Sequence, residues 1–112
     1  DRGIQSPGDF PRLPYHRLPR AQEYIGPTFL GKRTAVHQAS YGCPYRCKFC
    51  GVPELVQGRQ KCETPERTAE TLACLQRDFG IDSVQFYDNN FFLQESHTVA
   101  LAEQLEPLNL KW

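Results

Sequence analysis

The chain has no methionine, no net charge and no apolar run longer than a few residues. Each absence excludes something. Crossing a bilayer core takes ~20 consecutive apolar residues, and no stretch here approaches that. No charged-then-apolar leader opens the sequence. Thirteen basic residues balance thirteen acidic ones, so nothing draws the chain as a whole toward nucleic acid or a membrane surface. No cluster of glycines forms a phosphate-cradling loop. A start at Asp1 with no methionine leads us to expect an excised segment of a longer protein. The remaining composition, 39% hydrophobic and 23% charged, is ordinary for a soluble protein.

What the chain does have is cysteine, five in all. Three of them, Cys43, Cys47 and Cys50, fall in the run Ser40-Tyr41-Gly42-Cys43-Pro44-Tyr45-Arg46-Cys47-Lys48-Phe49-Cys50-Gly51. Spacings of four and three let one short loop turn three sulfurs toward a common centre. Three thiolates can hold a four-iron four-sulfur (4Fe-4S) cluster by three of its irons. The fourth iron is then without a protein ligand, and an open coordination position separates a catalytic metal site from a closed structural one. Two other uses of the thiols stand beside this. With His37 or Cys62 as a fourth ligand the triad would close a tetrahedral zinc site, although zinc sites usually come as two separated cysteine pairs and no second pair exists here. Disulfides would leave one of the five cysteines over. Thiols meant for iron must stay reduced, which points to the cytoplasm.

The C-x3-C-x2-C spacing resembles the signature of the radical S-adenosylmethionine (radical SAM) enzymes, as do Phe49 directly before the third cysteine and Gly51 after it. The resemblance implies that the unligated iron chelates the amino and carboxylate groups of S-adenosylmethionine. It also implies that one electron cleaves the sulfonium to give a 5′-deoxyadenosyl radical, with Phe49 and Gly51 on the adenine side. A metal-binding module of purely structural role, holding zinc or a cluster, is the rival reading.

Along the chain the texture changes near residue 33. Residues 1–33 hold Pro7, Pro11, Pro14, Pro19 and Pro27, a density that prevents a persistent helix or central strand. We read a proline-rich extended linker that wraps a neighbouring surface, anchored by Tyr15, Leu18, Tyr24 and Ile25; plain disorder is the competing reading for residues 1–12. Residues 34–112 alternate strand and helix. A strand is expected over Thr34–Ser40, followed by an irregular loop from Tyr41 to about Gln60, where glycine and proline recur. A helix starts with Thr64 as N-cap and Pro65 at the first position, carries Leu72, Leu75 and Phe79 on one face, and ends at Gly80. A strand over Ile81–Tyr87 places Val84 and Phe86 on one face and closes at Asp88-Asn89-Asn90. A second helix runs from Ser96, its cap, to about Glu106, with Pro107 marking its end. Asn109–Trp112 opens a third strand.

This βαβαβ rhythm is that of a parallel α/β sheet. Two units are too few for a closed (β/α) barrel of about 250 residues, so the fold class expected is the first portion of a partial radical SAM barrel. Functional groups in such folds lie beyond the carboxyl ends of the strands. The cysteine loop leaves one such end and Asp88-Asn89-Asn90 the other. Asp88 and Asn90 are therefore candidates to hold the amino group or ribose hydroxyls of S-adenosylmethionine, against the plainer reading of a turn.

The longer run Tyr87-Asp88-Asn89-Asn90-Phe91-Phe92 resembles the segment after the second strand in cobalamin-binding radical SAM enzymes. That group includes methylases of unactivated carbon and the anaerobic cyclase of bacteriochlorophyll synthesis. The resemblance implies cobalamin held by a domain outside this chain, a small-molecule substrate, and an electron donor such as flavodoxin or ferredoxin. It assigns no catalytic residue within this stretch, and the isolated fragment is expected to be inactive. Arg46 and Lys48 read as solvated residues or as counter-charge to thiolates. His37 reads as a packed residue, Cys62 and Cys74 as packed thiols, and His97 as a surface residue.

Overall fold

A computed structural model describes residues 5–112; the first four residues of the linker lie outside the described residues. The chain is mixed α/β. Strands β1 (Thr34–His37) and β4 (Ser83–Phe86) pair in parallel, with Thr34 opposite Ser83 and His37 opposite Phe86. Between them come β2 (Ser40–Gly42), the one-turn helix α1 (Val52–Leu55), β3 (Gln60–Cys62) and α2 (Pro65–Phe79). Helix α3 (Glu95–Leu105) follows β4 and runs into a 3-10 turn over Glu106–Leu108. The expected third strand is present as one parallel bridge, Ser83 to Lys111, in which the Val84 amide donates to the Lys111 carbonyl at 2.9 Å.

Helix α2 forms where local chemistry dictates. Thr64 has an extended backbone, and its hydroxyl accepts the Arg67 amide at 3.3 Å. This satisfies one of the donors that a helix start leaves free, typically worth ~1 kcal/mol. Pro65 occupies the first turn, where its missing N–H costs nothing. Gly80 caps the other end in the left-handed conformation. Leu72 and Leu75 are buried, and Phe79 sits half-buried at the rim, its ring 6.2 Å from that of Tyr15.

Side chains alternate across a strand, so Ala35 and His37 of β1 share a face with Val84 and Phe86 of β4. That face meets the helices: Ala35 and Val84 join Leu72, Leu75, Leu101, Leu105, Ile81 and Leu110 in one buried core. The opposite face carries Thr34, Val36, Ser83 and Gln85. Its lower end is closed by hydroxyls, with Thr34 bonded to Ser83 (2.8 Å) and to Thr28 of the linker (2.7 Å).

Several boundaries differ from expectation. The first strand breaks at His37, and its last residue, Ser40, belongs to β2. β2 and β3 pair antiparallel, Gly42 opposite Gln60, so the stretch from Tyr41 to Gln60 is a stemmed loop with a helical turn inside it. Pro53 fits that turn because it lies in its first positions. Helix α3 starts at Glu95, placing Ser96 inside the first turn; the residue before the helix, Gln94, makes no side-chain cap bond. Pro107 lies within the 3-10 turn.

The linker is not a continuous extended strand. Among the described residues it makes three 3-10 turns, Pro7–Asp9, Tyr15–Arg17 and Ala21–Tyr24, a geometry whose first turn tolerates proline. It does wrap the α/β unit. Arg67 donates to the Phe10 carbonyl, Arg12 pairs with Glu70, and the Tyr15 hydroxyl donates to the Val36 carbonyl at 3.3 Å. Of the four expected anchors, Ile25 is buried and Tyr15 packs against the core, whereas Leu18 and Tyr24 are exposed. Among the described residues no helix is long and apolar enough to cross a membrane.

Candidate metal and cofactor site

Because β1 and β4 run parallel and in register, their carboxyl ends share one rim. The Tyr87 amide donates to the His37 carbonyl (2.9 Å), carrying the pairing one residue further. Beyond it, the turn after β4 grips the start of the cysteine loop. Asp88 accepts the Ala39 amide on one carboxylate oxygen (3.2 Å) and the Ser40 hydroxyl on the other (2.5 Å). The Asn89 side-chain oxygen accepts the Gly42 amide at 2.9 Å. Asp88 therefore has a structural role at this rim. A carboxylate offers about four lone-pair sites, so acceptor capacity remains.

Residues 43–59 form the loop, closed at its base by the Gly42–Gln60 pair. All five cysteines are free thiols; Cys43 and Cys50 are half-buried and Cys47 is exposed. The Cys50 amide donates to the Cys47 carbonyl at 3.0 Å, making a tight turn between two of the triad. Phe49 is 94% exposed, so its ring is not part of the protein's own packing. Gly51 is exposed, and a side chain there would meet no atom within 4 Å.

Among the described residues, no three His, Cys, Asp or Glu side chains converge on a point that would hold a single metal ion. A 4Fe-4S cluster asks for something different, since each thiolate takes its own iron. Three free thiols on one irregular loop fit that requirement as a donor set. Of the two fourth zinc ligands considered from sequence, His37 is engaged elsewhere and Cys62 is a free thiol. His37 donates from Nε2 to Glu63 (3.0 Å), with its ring edge-on to Phe86. Cys62 lies half-buried on β3, where burial and then the Asp88 charge push its thiol pKa up.

Sequence reasoning missed the group that holds the loop's return. Glu63 accepts from His37, from the Thr68 hydroxyl (2.8 Å) and from Arg67 Nε (3.0 Å). Its amide donates to the Ala39 carbonyl (2.8 Å), and its carbonyl accepts His97 Nε2 (2.7 Å). His97 is thus a half-buried tie and not a surface residue. The Glu63–Arg67 spacing of four was a visible signal; nothing in the local sequence pointed to His37 or His97. A cleft of about 560 Å³ lies beside this cluster, under the linker, lined by Phe10, Tyr15, Val36, Tyr41 and Tyr87. None of the loop cysteines lines it.

Burial works to raise the Glu63 pKa, but hydrogen bonds from His37, Thr68 and Arg67 and the His37 charge outweigh it, and the carboxyl is held below its ordinary 4.5. A group with a lowered folded pKa stabilises the fold above its unfolded pKa and loses that contribution as pH falls through the folded one. The wild-type Tm is therefore expected to drop on acidification below 4.5, more steeply than that of Glu63→Gln. Parallel acid limbs in the two thermal-unfolding series would show that Glu63 carries no such linkage.

The fold and rim define an α/β chain with a thiol-rich loop over the carboxyl end of a parallel pair. Its sequence is similar to an uncharacterized methyltransferase of Pyrococcus horikoshii, 27% identical over 111 residues, covering 97% of this chain and 23% of that protein. It is also similar to the hopanoid C-2 methylase of Rhodopseudomonas palustris, 39% identical over 54 residues, covering 48% of this chain and 10% of that protein. The chain thus spans less than a quarter of the length of these curated relatives. No family model and no solved structure matches it.

Proposed function

We propose that this chain is the cluster-bearing first part of a radical SAM methylase barrel. The observation that carries the reading is three free thiols, Cys43, Cys47 and Cys50, on one open loop beside the Asp88–Asn90 turn. The names of the two relatives, a methyltransferase and a methylase, favour methyl transfer over the cyclase-type alternative. Bound by the three thiolates, a 4Fe-4S cluster would supply the electron that cleaves S-adenosylmethionine to methionine and a 5′-deoxyadenosyl radical.

The chain's own residues then have separable tasks. The cysteines bind as thiolates, and Arg46 and Lys48 beside Cys47 offer positive charge to offset that of the bound cluster. The exposed Phe49 ring offers a flat apolar face to a planar base. Gly51, with open space where a side chain would stand, lets the cofactor approach the backbone. Asp88 retains lone pairs for an ammonium or a ribose hydroxyl, with Asn90 two residues on. Cobalamin, if used, is held by residues outside this chain, and the electron comes from a donor such as flavodoxin or ferredoxin.

The test uses the complete protein, reconstituted anaerobically with iron and sulfide. Reductant and S-adenosylmethionine are added, and 5′-deoxyadenosine and methionine are quantified. Both should form, and Cys47→Ala should reduce them to background. A well-loaded cluster that leaves the cofactor intact would sink the radical reading. Retention of colourless zinc without iron would instead establish a structural module.

A further inference from the structure

We infer that Gln60 is a positioning residue, latching the stem of the cysteine loop to the turn that carries Asp88 and Asn90. Its side-chain amide meets three residues on two other segments. Nε2 donates to the Asn90 carbonyl (2.7 Å) and to the Ser40 hydroxyl oxygen (3.2 Å), while Oε1 accepts Nε2 of Gln94 (3.2 Å). Ser40 passes the chain on, donating its own proton to Asp88. The line Gln94–Gln60–Ser40–Asp88 therefore ties β3, β2 and the residue 88–94 turn together at the base of the loop.

The chemistry selects glutamine. The Asn90 carbonyl can only accept, so the group facing it must donate. A second donor is needed for Ser40, whose proton is committed to Asp88, and an acceptor is needed toward Gln94. A primary amide supplies two donors and an acceptor in one plane. A carboxylate of the same shape would offer no donor, and would face the Asn90 carbonyl with like charge.

The geometry gives the latch its consequence. Gly42 and Gln60 are paired across the stem, and Gly42 is also held by Asn89. Both sides of the stem are thus fastened to the turn after β4, one through Gly42 and Ser40, the other through Gln60. That fastening sets the distance and angle between the three cysteines and Asp88–Asn90. The inference deepens the reading above, because the loop it positions is the one assigned there to the cluster.

Hydrogen exchange on the complete protein tests the latch without any cluster. In Gln60→Ala and in the isosteric Gln60→Glu, the amides of residues 39 and 42, which the turn holds through Asp88 and Asn89, should exchange roughly tenfold faster, while those in the middle of α2 keep wild-type rates. Faster exchange everywhere, or only within residues 60–62, would overturn the latch, as would wild-type behaviour of Gln60→Glu. Should Gln60→Ala not fold, Gln60→Glu and Ser40→Ala carry the same expectation. Positioning is read on reconstituted protein: variants should load iron as wild type does, yet show a changed electron paramagnetic resonance response to S-adenosylmethionine. An unchanged response would overturn it. Absence of iron in the wild type, with the exchange pattern present, supports the latch and removes the cluster reading instead.

Discussion

Leu72→Ala is expected to lower the unfolding free energy by about 2–5 kcal/mol, the range for truncating a fully buried leucine. Leu72 is completely buried where α2 meets the sheet, among Ala35, Val84, Leu101 and Leu105. Removing its isopropyl end takes apolar area out of the core and leaves a cavity whose walls are held by two helices and a strand pair. Those walls have little freedom to collapse, because packed interiors relax only partly. Denaturant unfolding should show a lower midpoint with an unchanged slope. A cost under about 1 kcal/mol, typical of surface changes, would mean that α2 does not pack on the sheet as described. In a protein with typical marginal stability of about 5–15 kcal/mol, such a loss also removes much of the folded population at elevated temperature.

Gly42→Ala should be comparably damaging, for a different reason. Gly42 has a φ of +89°, and a Cβ there would lie 2.2 Å from the Arg59 carbonyl oxygen. The backbone strain is worth about 1–3 kcal/mol, and forcing extra volume into a packed position adds about 1–3 kcal/mol. The obstacle is main chain, so no rotamer change removes it; β2 and β3 must part. Cys43 is the next residue, and an opened stem frees the loop that bears all three cysteines. The variant should therefore lose both stability and iron after reconstitution, measured as midpoint and as iron per chain. Wild-type values of both would show that the stem does not close through Gly42.

The two variants probe parts of the molecule that differ in how visible they were from sequence. The core around Leu72 was legible because its cause is local. Thr64, Pro65 and Gly80 mark the ends of α2, and the spacing of Leu72 and Leu75 states the buried face. The same holds for β4, where Val84 and Phe86 share a face as alternation requires. The boundary of α3 was less legible: Ser96 is a good capping residue by type, yet the helix begins one residue earlier without a side-chain cap.

The loop around Gly42 was half legible. Three cysteines at short spacings stand out in any reading, and glycine and proline correctly signalled irregular chain between them. The β2–β3 stem did not stand out, because three-residue strands carry little propensity and gain their stability from the partner. Asp88 was singled out as a cofactor ligand; its bonds to Ala39 and Ser40 belong to the scaffold first.

Sequence by itself determined the α/β alternation, the span of α2 and the placement of three thiols on one loop. These follow from periodicity, capping and spacing, which act between residues a few positions apart. Only the tertiary structure decided what holds that loop: Gln60 on Ser40, His37 on Glu63, and Ser40 on Asp88, pairs separated by 20, 26 and 48 residues. Such contacts exist because the parallel strands bring their carboxyl ends to one rim. A hydrogen bond between distant residues depends on where the whole chain has carried each of them, and local propensity contains no record of that.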